Sequence, residues 1–225
     1  MAEKKNVASA GGDDIIAKAQ DFWTRYQKQL TIALTVIVLA IGGWFGYKNF
    51  IQKPKAAKAV DAMFKAEEYY TMDSLQKALN GDGINAGFVK IIKEYGGTET
   101  GELARFYAGA SYLRLGDFNN AVKYLKEYST SQKQLQARAY KLLGDAYSEL
   151  GKNDEAISHY KKAAAYFTED RYNSAEYLFL AASFAEKIGK NNEAIELYKE
   201  VKEKYPETIA ANESEKYLAK LGVYN

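Results

Sequence analysis

Residues 147–163 read YSELGKNDEAISHYKKA, and the same frame returns twice more in the chain. It appears upstream as YLRLGDFNNAVKYLKEY from Tyr112 and downstream as AEKIGKNNEAIELYKEV from Ala185. Glycines recur at Gly116, Gly151 and Gly189, alanines at Ala121, Ala156 and Ala194, and a large side chain four places later at Leu125, Tyr160 and Tyr198. The glycines are 35 and 38 residues apart, the period of a solenoid of helix–turn–helix units. Small residues at Gly109, Gly144 and Ala182 on each first helix, with the recurring alanines on each second one, let two antiparallel helices come close. Leu125, Tyr160 and Tyr198 then fill the gap to the neighbouring repeat. Each turn glycine is expected in the left-handed conformation that ends a helix, with a nearby Asp or Asn capping the next.

These residues resemble the tetratricopeptide repeat. The middle copy carries the pattern most fully, with Tyr140, Leu143, Gly144, Tyr147, Ala156, Tyr160 and Ala163. The third copy has Ala185 where the motif has an aromatic, but keeps its closing Pro206. Full repeats are expected at 102–135, 137–170 and 175–208. A degenerate one is expected at 57–100, with Gly96–Gly97 in place of a proline, and a solvating helix at 209–222 covers the last repeat.

Ahead of the repeats lies KQLTIALTVIVLAIGGWFGYK, residues 28–48. Its uncharged run, Gln29 to Tyr47, is 19 residues, which as a helix spans roughly 28 Å, about the hydrocarbon thickness of a bilayer. Phe22, Trp23 and Tyr26 precede it and Trp44, Phe45 and Tyr47 close it, the aromatic belt of a membrane interface. The polar lead is long and the apolar run exceeds a signal-peptide core, so a retained single transmembrane helix at 30–48 is expected rather than a cleaved leader. Residues 1–12 are expected to be a disordered tail. Residues 13–29 form an amphipathic juxtamembrane helix by the spacing of Ile15, Ile16, Ala19, Phe22, Trp23, Tyr26 and Leu30. Gly42 and Gly46, four apart, offer one face for close helix–helix contact in the membrane.

The fold class is therefore all-α: one N-terminal transmembrane helix followed by a tetratricopeptide-like α-solenoid over 49–225. The 225 residues carry 31 basic and 29 acidic side chains, a net charge of +2, with no basic stripe for nucleic acid. There is no cysteine, which excludes disulfides, thiolate metal sites, thiol catalysis and lipoprotein modification. The single histidine, His159, is expected on the solvent side of a second helix, and glycines stop helices instead of building a phosphate loop. No enzyme activity and no cofactor are expected.

What remains is binding. By the repeat register, the groove lined by first helices takes Phe106, Ala110, Leu113 and Arg114 from the first full repeat. The second supplies Arg138, Lys141, Asp145 and Glu149, and the third Phe179, Ser183 and Glu186. The expected ligand is a polypeptide. The whole-chain layout, with DFWTRYQKQL, a span ending in GGWFGYKNF and a repeat domain, is similar to the YfgM-like family of bacterial inner-membrane proteins. That resemblance implies a cytoplasmic N-terminus, a periplasmic repeat domain, and partnership with the SecYEG translocon and a PpiD-like membrane-anchored chaperone. It also implies unfolded secretory polypeptides as clients, besides membrane lipid. Flanking charge does not add to it: Lys18, Arg25 and Lys28 precede the span, while Lys48, Lys53, Lys55 and Lys58 follow it. Two other readings stay open, a receptor or co-chaperone with its repeats in the cytosol and a scaffold of another envelope or organelle-surface complex.

Overall fold

The computed structural model describes residues 10–224, with side chains from Ile15 onward. Residues 1–9 of the expected tail lie outside the described residues, and Ala10 to Gly12 already belong to a helix. The order is α1 (Ala10–Gly46), a π-helical segment (Tyr47–Gln52), then α2 (Lys53–Thr71), α3 (Leu75–Asn80) and α4 (Phe88–Tyr95). The repeats follow as α5 (Glu99–Arg114), α6 (Phe118–Glu127), α7 (Lys133–Glu149), α8 (Asn153–Tyr166), α9 (Arg171–Lys187), α10 (Asn191–Lys204) and α11 (Ile209–Lys220). Among the described residues there is no strand. The chain divides into two compact units at Pro54.

In the first unit, α1 carries the juxtamembrane face and the apolar run as one helix, with no break between the two expected elements. Its large side chains are exposed, Leu39 at 69% and Trp44 at 62%, so this helix has no protein core to serve. It is the one helical stretch among the described residues long and apolar enough to cross a membrane. Thr31 and Thr35 donate their hydroxyls to the carbonyls of Gln27 and Thr31, so neither adds an unsatisfied polar group to the run. A side chain built on Gly42 or Gly46 would meet nothing within 4 Å.

The second unit is built from pairs: α5 packs on α6, α7 on α8 and α9 on α10, with α11 against α9 and α10. Each first helix ends in the same closure. Gly116, Gly151 and Gly189 have φ of +77°, +68° and +80°. The following amide reaches back five residues, Asp117 to Tyr112, Lys152 to Tyr147 and Lys190 to Ala185, each at 2.9 Å, as a Schellman motif does. Gly222 closes α11 in the same way.

The expected caps hold at one turn only. Asp117 accepts from the Asn120 amide, whereas Lys152 and Lys190 occupy the equivalent places before α8 and α10 and make no side-chain cap. Asn153 and Asn191 fall one residue later, already inside the helix. Capping by Thr98, Asp170 and Thr208 instead starts α5, α9 and α11.

The large second-helix residues sit over the small ones of their own repeat. A Cβ added at Gly144 would lie 2.5 Å from the Tyr160 ring, and one at Gly109 would lie 2.5 Å from Leu125 Cγ. The gap-filling expected toward the next repeat is shared: the Tyr160 ring also meets Phe184 edge-on at 6.1 Å.

Upstream, the degenerate repeat departs from the helix–turn–helix form. Between α2 and α4 run α3 and a loop in which Asp82 accepts the Ile84 and Asn85 amides and the Tyr69 hydroxyl. These hydrogen bonds hold the Asp82 carboxyl well below the usual carboxylate range. Met63 and Ala66 of α2 pack with Leu79, Phe88 and Ile91 against Ala104 and Ala108 of α5, a core distinct from the one around Phe106, Leu143 and Tyr198.

Gly144→Ala should therefore lower stability by about 1–3 kcal/mol, because a rigid ring must move to admit one methyl group. Urea unfolding of the full chain in detergent measures it, and an unchanged midpoint would show that the close approach is not needed.

Candidate protein-binding groove

Along the first helices, α5 touches α7, and α9 touches the last helix α11. These helices hold the residues expected to line a groove, and the structure distributes them unevenly.

Phe106 and Ala110 are corrections: both are buried, at 4% and 5% exposure. Phe106 packs on Tyr128 at 5.5 Å and Tyr107 at 5.7 Å between ring centroids. The guanidinium of Arg138 lies 5.8 Å from its ring centroid. These side chains hold α5 to its neighbours and present no surface to a ligand. Leu113 is half-buried and Arg114 exposed, but Arg114 already pairs with Asp73 and sits over Tyr70 at 5.3 Å.

In the next repeat Lys141 bonds Asp145 at 2.8 Å, and the same carboxylate accepts the Tyr160 hydroxyl at 3.0 Å. The third repeat repeats the device: Glu186 accepts the Tyr198 hydroxyl at 3.0 Å and the Lys220 ammonium at 2.7 Å. Burial and then the Asp145 charge push the Tyr160 hydroxyl well above its ordinary value. Burial and then the bond to Glu186 do so for Tyr198. Both hydroxyls therefore stay protonated donors.

The groove's charges are thus largely spent on each other. Glu149 is exposed, and Ser183 donates to the Leu180 carbonyl at 3.2 Å. Phe179 is half-buried, edge-on to Tyr217 at 5.5 Å.

Arg138 borders a cavity of about 370 Å³ between α7, α8 and α9, which Leu135, Phe167, Asn173 and Tyr177 also line. Sequence reasoning missed these four, since Phe167 lies in the loop between repeats and the others fall outside the motif's signature positions. It also missed the tyrosine–carboxylate bonds, although a Tyr at 160 and 198 above an acid on the preceding helix was a readable signal.

The family models match this architecture: a tetratricopeptide repeat-like domain over residues 20–139, and the tetratricopeptide repeat over residues 135–207. The chain belongs to the tetratricopeptide repeat-like domain family. A comparison with curated proteins found no match. The first match begins within α1, before the apolar run, and extends into α7. Tetratricopeptide repeats are protein–protein interaction modules, and Leu113, Leu142, Phe179 and Leu180 of the first helices are half-buried. No group of three or more metal-ligating side chains occurs among the described residues.

His159 is the last correction. It is half-buried rather than solvent-facing, stacked on Tyr147 with centroids 5.2 Å apart and planes 20° apart. Its Nδ1 is buried without a hydrogen-bond partner. Burial, then the Lys162 and Lys126 ammonium groups, lower its pKa, while Glu155 opposes them.

Since the folded value is depressed, the neutral ring's full contribution to stability is present above the ordinary value of 6.5 and is lost as pH falls through the lower folded value. His159→Phe, which keeps the stack, should flatten that part of the stability–pH curve below pH 6.5. Parallel curves for the two proteins would show that the ring does not titrate on unfolding.

Proposed function

We propose that this chain is a non-enzymatic, membrane-anchored adaptor that holds extended polypeptide segments along its first-helix row. One observation carries the reading: apolar side chains stay partly open on a row whose Lys141–Asp145 and Lys220–Glu186 charges are internally satisfied. A surface of that kind favours apolar segments and makes few demands on their sequence. Each apolar side chain fully buried on binding contributes about 1.5–3 kcal/mol before the cost of ordering the client. Binding is accordingly weak, tolerant and only modestly salt-dependent.

The apolar helix tethers this surface to a membrane. The resemblance to the YfgM-like family supports the bacterial inner membrane, with the N-terminus cytoplasmic and the repeats periplasmic. In that setting the chain acts as an ancillary subunit of the SecYEG translocon alongside a PpiD-like chaperone, and its clients are secretory chains that have yet to fold. A family match that begins at residue 20 supports treating the apolar run as part of the working protein. The second reading, an anchored receptor or co-chaperone with its repeats in the cytosol, is favoured by the four lysines that follow the run, Lys48, Lys53, Lys55 and Lys58.

A photo-crosslinker at Phe179 or Leu113 should capture translocon subunits, a membrane-tethered chaperone or secretory chains, and one at exposed Glu196 on α10 should capture far less. Equal labelling at the three positions would remove the groove as the binding face. In spheroplasts, external protease should digest the repeat domain; protection there, with crosslinks to cytosolic proteins, would establish the second reading in its place.

A further inference from the structure

Helix α1 runs into the π-helical segment Tyr47–Gln52, none of whose residues is buried. At its end the backbone N–H of Lys53 donates to the carbonyl of Lys48, five residues back. An α-helix would turn two residues that far apart about 140° away from each other. The wider π turn instead brings Lys53 nearly over Lys48, on one side of the helix. Trp44 stands below on the same side, and the Lys48 ammonium lies 4.9 Å from its ring centroid. Lys48 and Lys53 are both exposed and make no ion pair among the described residues. The amide of Asn49 between them is turned inward, donating to the Phe45 carbonyl at 2.9 Å.

The surroundings of this column say what it meets. Phe45, Tyr47 and Ile51 are each more than half exposed, and Phe50 is 81% exposed. A dissolved anion would leave those side chains in water, whereas the boundary between headgroups and acyl chains covers them and offers phosphates to the lysines. Lys48 and Lys53 follow Tyr47, the last residue of the uncharged run, by at most about 9 Å of helix, and a lysine stem can reach back over that distance to the headgroups. The two flanks of the run also differ in charge. Residues 13–28 carry three acidic and three basic side chains, whereas residues 47–60 carry four lysines and no acid.

We propose that Lys48 and Lys53, beside Trp44, form a site for the phosphate of an anionic phospholipid at the end of the apolar run. The site rests on the membrane anchor proposed above, and it holds whichever side of the membrane the repeats face. Two ammonium groups on one side of the helix favour a headgroup whose only charge is its phosphate. A choline headgroup would bring its own cation against them.

The test uses the full chain with Trp23→Phe, which leaves Trp44 as the one tryptophan. It is placed in phosphatidylcholine vesicles that carry a minor share of brominated phosphatidylglycerol or, separately, of brominated phosphatidylcholine. Bromine quenches a neighbouring indole, so the ratio of the two quenching curves reads lipid preference at Trp44. Phosphatidylglycerol should be enriched about fivefold there, the effect of about one lysine near a charged surface. Lys48→Gln with Lys53→Gln should remove the enrichment. Lys53→Gln with Gln52→Lys keeps the net charge but moves the second ammonium off the Lys48 side, and it should remove most of it. Inorganic phosphate at matched ionic strength should leave the preference in place. Equal quenching by the two lipids would overturn the site while leaving the anchor standing. Full enrichment in either variant, or its loss to inorganic phosphate, would overturn it as well. No quenching by either lipid would remove the anchor, and the site with it.

Discussion

Two helices can lie close enough to share a side chain's width only where one of them has almost no side chain to offer. At Gly109 and Gly144 the first helix presents bare backbone, and Leu125 and Tyr160 of the second helix settle onto it at distances that leave no room for a methyl group. Ala182 and Tyr198 occupy the corresponding places in the third repeat, and both are fully buried. From this approach follows the close spacing within each pair. The left-handed glycines then return the chain at a fixed point, so that one local geometry repeats to build the domain.

A repeating packing rule leaves a strong trace in sequence, which is why the small residues, the turn glycines and the large residues four places beyond the alanines were legible. Side chains whose fate is set by the particular partners packed on them were not. Phe106 stands at a groove position in its own repeat, yet Tyr128 and Arg138 close over it. His159 stands at an outward position on α8, yet Tyr147 and Tyr140 of α7 take up its ring faces. Asn153 and Asn191 look like caps by composition, but the Schellman closure fixes where the next helix starts and puts a lysine there instead. A motif records what is common to all copies, whereas these contacts depend on what differs between adjacent ones.

The charges follow the repeat as well. Lys133 to Glu169, Arg171 to Glu207 and Lys190 to Asp154 each join residues 36 apart, one repeat to the next. Exposed pairs of this sort contribute only about 0–1 kcal/mol each. Their effect is on register, since slipping one repeat against another would part all three pairs at once. The pairs inside the groove have a different result, because a carboxylate that already holds a lysine and a tyrosine has little left for a ligand.

Helix α5 belongs to two cores at once. Phe106 faces the large one that runs through the later repeats, while Ala104 and Ala108 face the small one beneath Met63, Phe88 and Ile91. Along the chain α2 enters the smaller core first, through Met63 and Ala66. That core holds eight buried apolar residues against twenty-two in the other, so it is the weaker joint. The smaller core can therefore open, releasing α2 to α4, while the larger core of the three full repeats stays closed at α5.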